Sequence, residues 1–226
     1  MKAKIEMISA VQMAALILLL GDLGSSFAAA PSKVSPDEAL KRLLHGNARF
    51  VSGHMTHVAP QHVASVRRAL AKGQTPFAII VGCSDSRVGP EIVFDQGLGD
   101  IFVIRTAGEV VDAAALGSIE YGVEHLGSSL IVVLGHERCG AVSAAVASAK
   151  EPHIAAMLKA IEPAVEQTKG KTGDPVDNAV RAQALDVAKQ LQQAKPILAE
   201  RVHSGKLKIV AARYDLDTGK VELLSL

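Results

Sequence analysis

Phe77-Ala78-Ile79-Ile80-Val81-Gly82-Cys83-Ser84-Asp85-Ser86-Arg87 is an unbroken apolar run that turns polar at a cysteine. Two further runs share its texture, Ile101 to Ile104 and Leu130 to Leu134, and the second opens into Gly135-His136-Glu137-Arg138-Cys139-Gly140. Short β-branched runs without polar alternation are strands buried on both faces, as in parallel sheets. Between the last two runs, Ala113 to Leu126 carries Leu116, Ile119 and Val123 at helical spacing. The resulting strand, helix, strand order predicts an α/β fold, a mainly parallel β-sheet core flanked by helices with right-handed crossovers.

Working outward, Ser35-Pro36-Asp37-Glu38 is a helix start, with a capping hydroxyl, a proline at the first helical position and an acid three residues after the serine. A second helix is expected from about Gln61 to Ala71. After the His136 segment the chain reads helical from about Ala141 to Ala149, Ile154 to Thr168 and Asn178 to Gln193. Leu207 to Ala212 then reads as a strand leading through Asp217-Thr218-Gly219 into Val221 to Leu224, a C-terminal hairpin strand at the sheet edge. Gly170-Lys171-Thr172-Gly173 lacks the upstream glycine of a phosphate loop, Val165 standing in its place, and reads as a solvated turn.

Composition narrows the function. The 226 residues are 49% hydrophobic and 21% charged, which suits one globular domain and excludes disorder. Lys and Arg total 24 against 23 Asp and Glu, a formal net charge of +1 with no like-charge block, so no nucleic-acid partner and no anionic membrane surface is expected. Aromatics at 3% and the absence of Trp argue the same way. Lys2 and Lys4, the apolar run Met13 to Leu20 and the small residues Ala28 to Ala30 read as a secretory signal peptide over residues 1–30, cleaved between Ala28 and Ala30. The expectation is therefore an exported, periplasmic protein whose mature domain, residues 31–226, has no membrane segment.

The chemistry sits in Gly82 to Arg87 and Gly135 to Gly140, each placed directly after a buried strand, where open parallel sheets bind ligands. Two thiolates and an imidazole, from Cys83, Cys139 and His136, make a donor set suited to zinc, and three protein ligands leave a tetrahedral position open, as in catalytic sites. Asp85 either binds the metal and closes the site or pairs bidentately with Arg87 and leaves it open. Cys139 also stands at a predicted helix start, which favours a thiolate. The plainer alternative is a disulfide between Cys83 and Cys139, in a non-enzymatic zinc or thiol protein. Glu137 and Arg138, between two candidate ligands, read as solvated.

The joint pattern C-x-D-x-R and H-x-x-C resembles the zinc motifs of the β-class carbonic anhydrases. The resemblance continues through Leu44-His45-Gly46-Asn47-Ala48-Arg49-Phe50, Gly73-Gln74-Thr75-Pro76, Ile104-Arg105-Thr106-Ala107-Gly108, Ile119-Glu120-Tyr121 and Tyr214-Asp215-Leu216-Asp217-Thr218-Gly219, so it spans about Asp37 to Leu224. It implies one Zn2+ per subunit on Cys83, His136 and Cys139, with Asp85 as a further metal ligand in the closed state and Asp85 with Arg87 as the catalytic dyad. It implies reversible hydration of CO2 to bicarbonate and a proton, because zinc brings the pKa of its water to about 7 and makes hydroxide available at neutral pH. It assigns Gln74 as a substrate donor reaching in from the neighbouring subunit, and Phe102 and Tyr121 as pocket walls. A site completed across subunits implies a homodimer or a tetramer of dimers. The regulatory bicarbonate site of some members uses a Trp, an Arg and a Tyr, matched here by Ile80, Arg105 and Tyr214, and the Ile80 departure argues against such a site; Thr106 departs from a common Asn. Hydrolysis of a sulfur analogue of CO2 on the same scaffold would use the same ligands.

Overall fold

The computed structural model describes residues 34–57 and 63–225. The expected signal peptide, residues 1–30, lies outside the described residues, as does the expected start of the second helix at Gln61. Among the described residues no helix is long and apolar enough to cross a membrane.

The chain begins with α1 (Pro36–Ser52) and α2 (Val63–Leu70) and enters the sheet at β1 (Ala78–Cys83). A single helical turn, α3 (Pro90–Val93), leads to β2 (Ile101–Thr106), followed by a 3-10 turn over Ala107–Glu109 and by α4 (Ala113–Glu124). Then come β3 (Leu130–His136), α5 (Gly140–Val146), α6 (Ala155–Glu166), α7 (Pro175–Gln193), α8 (Ile197–His203), β4 (Lys208–Tyr214) and β5 (Val221–Leu224). The five strands lie in the order β2-β1-β3-β4-β5. The pairs β1–β2, β1–β3 and β3–β4 are parallel, and β4–β5 is the antiparallel edge hairpin. The α/β reading and the edge hairpin therefore hold. The short helices α3 and α8 were not expected from the sequence.

Every residue of β1 and of β3 is buried, and the pleat sends alternate ones to opposite faces. Ile79, Val81, Ile131 and Val133 pack with Ile119 of α4, Leu191 of α7 and Leu198 of α8. Ile80, Leu130, Val132 and Leu134 pack with Leu43 of α1 and with Val93 and Phe94 around α3. An unbroken apolar strand thus serves two layers at once.

Local signals place α1. Ser35 Oγ accepts from the N–H of Glu38 at 3.3 Å, with Pro36 in the first turn. The helix presses so close to α3 that a Cβ on Gly46 would lie 1.7 Å from the Phe94 carbonyl oxygen, so this position takes no side chain. Beside it, Asn47 donates to the carbonyls of Val93 (3.0 Å) and Gly219 (2.8 Å) and accepts from the N–H of Val221 (2.9 Å). One buried amide thereby ties α1 to α3 and to the β4–β5 hairpin.

Candidate metal centre

The parallel register sets Cys83, the last residue of β1, opposite Thr106 on β2, while His136 ends β3. Cys139 is the N-cap of α5, three residues after His136. The carboxyl ends of adjacent strands thus carry the three donors to one place. All three are buried, and their ligand atoms lie within 4.8 Å of one another.

The thiols are free, with Sγ atoms 3.9 Å apart. A disulfide needs about 2.05 Å, so the disulfide alternative is overturned. Two thiolates on a tetrahedral zinc, each about 2.3 Å from the ion, stand about 3.8 Å apart. His136 completes the set. Its Nδ1 lies 2.9 Å from the carbonyl of Glu137, which can only accept, so Nδ1 carries the proton and the Nε2 lone pair is free. Among the described residues Nε2 has no hydrogen-bond partner although the side chain is fully buried. An orphaned imidazole nitrogen beside two converging sulfurs suits a zinc ion.

The sulfurs divide one proton. Cys83 is lowered to about 4, first by the hydrogen bond from Cys139 and, against burial, by the N–H of Gly108, which reaches Sγ at 3.3 Å. Cys139 is pushed up by the same pairing and by burial. Gly108 approaches Cys83 at φ +67, and a Cβ there would lie 2.7 Å from Ile161 Cδ1. Its glycine is thus needed twice, for the left-handed backbone and for the room.

Asp85 stands in the turn after β1 and is clamped by Arg87. The backbone N–H and Nε of Arg87 each donate to Oδ1 at 2.9 Å, and Nη2 donates to Oδ2 at 2.7 Å. This hydrogen bonding holds the Asp85 carboxyl well below the ordinary carboxylate range. Oδ2 lies 3.8 Å from His136 Nε2, so the charged carboxylate faces the ligand cluster while remaining on arginine. Of the two arrangements left open by the sequence, the structure holds the Arg87-paired one.

The pocket residues lie elsewhere. Phe102 pairs with Ile79, four residues before the Thr106 level, which is about 13 Å along the strand. Tyr121 packs on it with ring centroids 6.4 Å apart and is 47% exposed. Gln74 is exposed in a groove of about 500 Å³ with Arg67, Leu70, Leu98 and Ile101. None of the three meets its own chain's ligand cluster; they line the β2 edge and its entrance. Ile80 and Tyr214 are core residues, and the Arg105 guanidinium donates to main-chain carbonyls. Nothing in the placement of these three reconstitutes a regulatory anion site.

Arg138 is exposed and Glu137 partly so, as expected of solvated side chains, and both also make defined contacts. Glu137 Oε2 accepts from the N–H of Leu216 at 3.1 Å, and Arg138 grips Asp217 through Nη1 at 3.0 Å and Nη2 at 2.7 Å. Both tie the ligand loop to the β4–β5 hairpin. Their alternation between two ligands gives no sign of this, because the partners are nearly eighty positions away.

Glu109 was not singled out from the sequence. It is 1% exposed, at φ 43, and neither carboxyl oxygen has a hydrogen-bond partner among the described residues. Its Oε1 would lie 3.3 Å from a Cβ placed on Gly135, which sets it beneath the ligand loop. Burial first, and then the negative charge of Cys83, raises its pKa well above the ordinary value. A carboxyl neutral in the fold but ionised in the open chain favours folding fully below the unfolded value of about 4.5 and progressively less as pH rises through the gap. Glu109→Gln removes that linkage. Its Tm relative to the parent is expected to be higher at pH 8 than at pH 5, measured calorimetrically on the metal-loaded protein. A pH-independent difference would mean that Glu109 is ionised in the fold.

Comparison with known proteins points one way. The family profile described as carbonic anhydrase matches residues 78–221. The chain is 42% identical over 194 residues to carbonic anhydrase 2 of Mycobacterium tuberculosis (strain ATCC 25618 / H37Rv), covering 84% of this chain and 93% of that one. It is 41% identical over 196 residues to a carbonic anhydrase of Mycolicibacterium smegmatis, covering 84% and 94%. Among solved structures, the β-carbonic anhydrase CcaA superposes with a TM-score of 0.67 at 28% identity, over 82% of this chain and 95% of that one. A tetrameric β-carbonic anhydrase of Sordaria macrospora superposes with a TM-score of 0.64 at 25% identity, over 72% and 87%.

Proposed function

This chain belongs to the β-class carbonic anhydrase family, and on that premise we propose that it catalyses the reversible hydration of CO2 to bicarbonate and a proton with one zinc ion on Cys83, His136 and Cys139. The observation that carries the reading is the unpartnered His136 Nε2 converging with two free sulfurs beside an ionised carboxylate. Zinc held there supplies Lewis acidity, which brings the pKa of water to about 7.

The chain's own groups do the rest. Asp85 Oδ2, kept charged by Arg87, accepts a hydrogen bond from the attacking water and orients its lone pair toward the CO2 carbon. The Nδ1–H bond to the Glu137 carbonyl fixes the His136 ring. CO2 is apolar, so it needs apolar walls and one donor for the oxygen that becomes negative.

For those pocket parts we infer a second copy of the chain. Gln74, Phe102 and Tyr121 lie along the β2 edge, out of reach of their own ligand cluster, so a homodimer or a larger assembly of dimers would bring them to the partner's site. Gln74→Ala should lower kcat/KM about tenfold or more with the dimer intact by sedimentation; undiminished kcat/KM removes Gln74 from the pocket. Export to a periplasm, with residues 31–226 as the mature catalytic domain, belongs to the same reading, and N-terminal sequencing of protein recovered from a secreting host tests it.

Substrate comparison tests the reaction itself. Zinc-loaded protein should turn over CO2 far faster than carbonyl sulfide or carbon disulfide. A preference for either sulfur compound would reassign the scaffold to their hydrolysis.

A further inference from the structure

Residues 83–85 are gripped residue by residue by the end of β2. Arg105 Nε donates to the Cys83 carbonyl at 2.9 Å, the N–H of Ser84 donates to the Thr106 carbonyl at 3.0 Å, and Arg105 Nη2 donates to the Asp85 carbonyl at 2.6 Å. A ligand and its neighbouring acid are thus held through their main chain by one guanidinium from another element.

Arg87 alone does not supply that hold. It lies two residues from Asp85 in the same exposed turn, with its side chain 51% exposed, so the pair can move as a unit. Among the described residues its one further bond, from Nη2 to the Arg138 carbonyl, is long at 3.4 Å. The Asp85 carboxylate already lies 3.8 Å from His136 Nε2, so a small displacement of the turn would carry it onto a metal at the ligand cluster. The N–H of buried Val88 also donates to the Asp85 carbonyl, at 3.1 Å, from within the turn itself, and Arg105 adds the side-chain tie from a neighbouring strand. Arg105 is the penultimate residue of β2, and its planar fork spans two carbonyls at once, which a lysine ammonium on a flexible stem does not reproduce.

We propose that Arg105 is a positioning residue: by clasping the Cys83 and Asp85 carbonyls it holds the turn back, so that Asp85 stays on Arg87 and the metal keeps an open position. The inference rests on the zinc-enzyme reading above.

The test uses the full chain loaded with zinc for kinetics and with cobalt(II) for spectroscopy. Arg105→Ala should keep one metal per chain and the parent's oligomeric state. Its kcat should fall about 10- to 100-fold, as for other residues that orient metal-site groups. Thiocyanate affinity of the cobalt form, followed by visible absorption, should fall at least tenfold as Asp85 competes for the open position. Arg105→Lys should fall between, and it carries the test if Arg105→Ala does not fold. Adding Asp85→Ala to either variant should restore thiocyanate affinity, which a general loss of structure would not do. Unchanged thiocyanate affinity, or weakening that persists without Asp85, overturns the proposal. A parent protein that binds cobalt and thiocyanate but does not hydrate CO2 would instead overturn the enzymatic reading.

Discussion

His136→Ala is expected to lose the metal and, with it, CO2 hydration, by on the order of a thousandfold or more, equivalent to about 4 kcal/mol of transition-state stabilisation. The imidazole is fully buried and, among the described residues, hydrogen-bonds only through Nδ1 to the Glu137 carbonyl, while Nε2 faces the sulfurs without a partner. Alanine leaves two thiols and a void. Two protein donors are fewer than the three that a catalytic zinc site uses. The variant should contain well under one zinc per chain by elemental analysis. It should also expose an oxidisable thiol pair, since Cys83 and Cys139 are only 3.9 Å apart. A His136→Ala protein with full zinc and turnover would refute the ligand assignment.

Asp85→Asn should separate binding from chemistry. The asparagine is nearly isosteric, but it carries no charge and turns an NH2 toward Arg87 where an oxygen accepted before. Zinc content should be unchanged, because Asp85 lies on arginine and outside the three-residue cluster. The water loses its orienting acceptor, and kcat should fall about 10²- to 10⁴-fold, the usual span for a positioned acid–base group. Zinc titration and stopped-flow kinetics on one preparation check both halves. Unimpaired turnover would remove Asp85 from the mechanism; lost zinc would make it a permanent ligand.

Most of this site was legible in the sequence because its parts are local. Cys83, Asp85 and Arg87 fall within five residues after an apolar run, and His136 and Cys139 within four after another. Parallel strands have only one end at which to bring such segments together. The two-faced burial of β1 and β3 likewise follows from the absence of polar residues between Ile79 and Val81 and between Leu130 and Leu134.

What was not legible depends on distant pairing. Glu109 reads as an ordinary polar residue after a strand, yet the left-handed backbone at Gly108 and Glu109 folds it under the ligand loop. The glycine in Ala107-Gly108 was the one available hint of close approach. The sequence resemblance matches Arg105 only to a regulatory site that Ile80 argues against, whereas its carbonyl partners emerge only when β2 lies against β1. Phe102 and Tyr121 have the composition of pocket walls, but strand register decides which pocket they can reach. The helix α8 was hidden because its seven residues follow Lys195-Pro196, a dipeptide that reads as a break.

The most direct measurement is stopped-flow CO2 hydration by the mature, zinc-replete protein from neutral to moderately alkaline pH. With Asp85 held by Arg87 as the structure has it, hydration should already be rapid at neutral pH. Activity that emerges only at alkaline pH would contradict the open arrangement of Asp85. No hydration at any pH, with zinc confirmed on the protein, would contradict the assignment of the reaction.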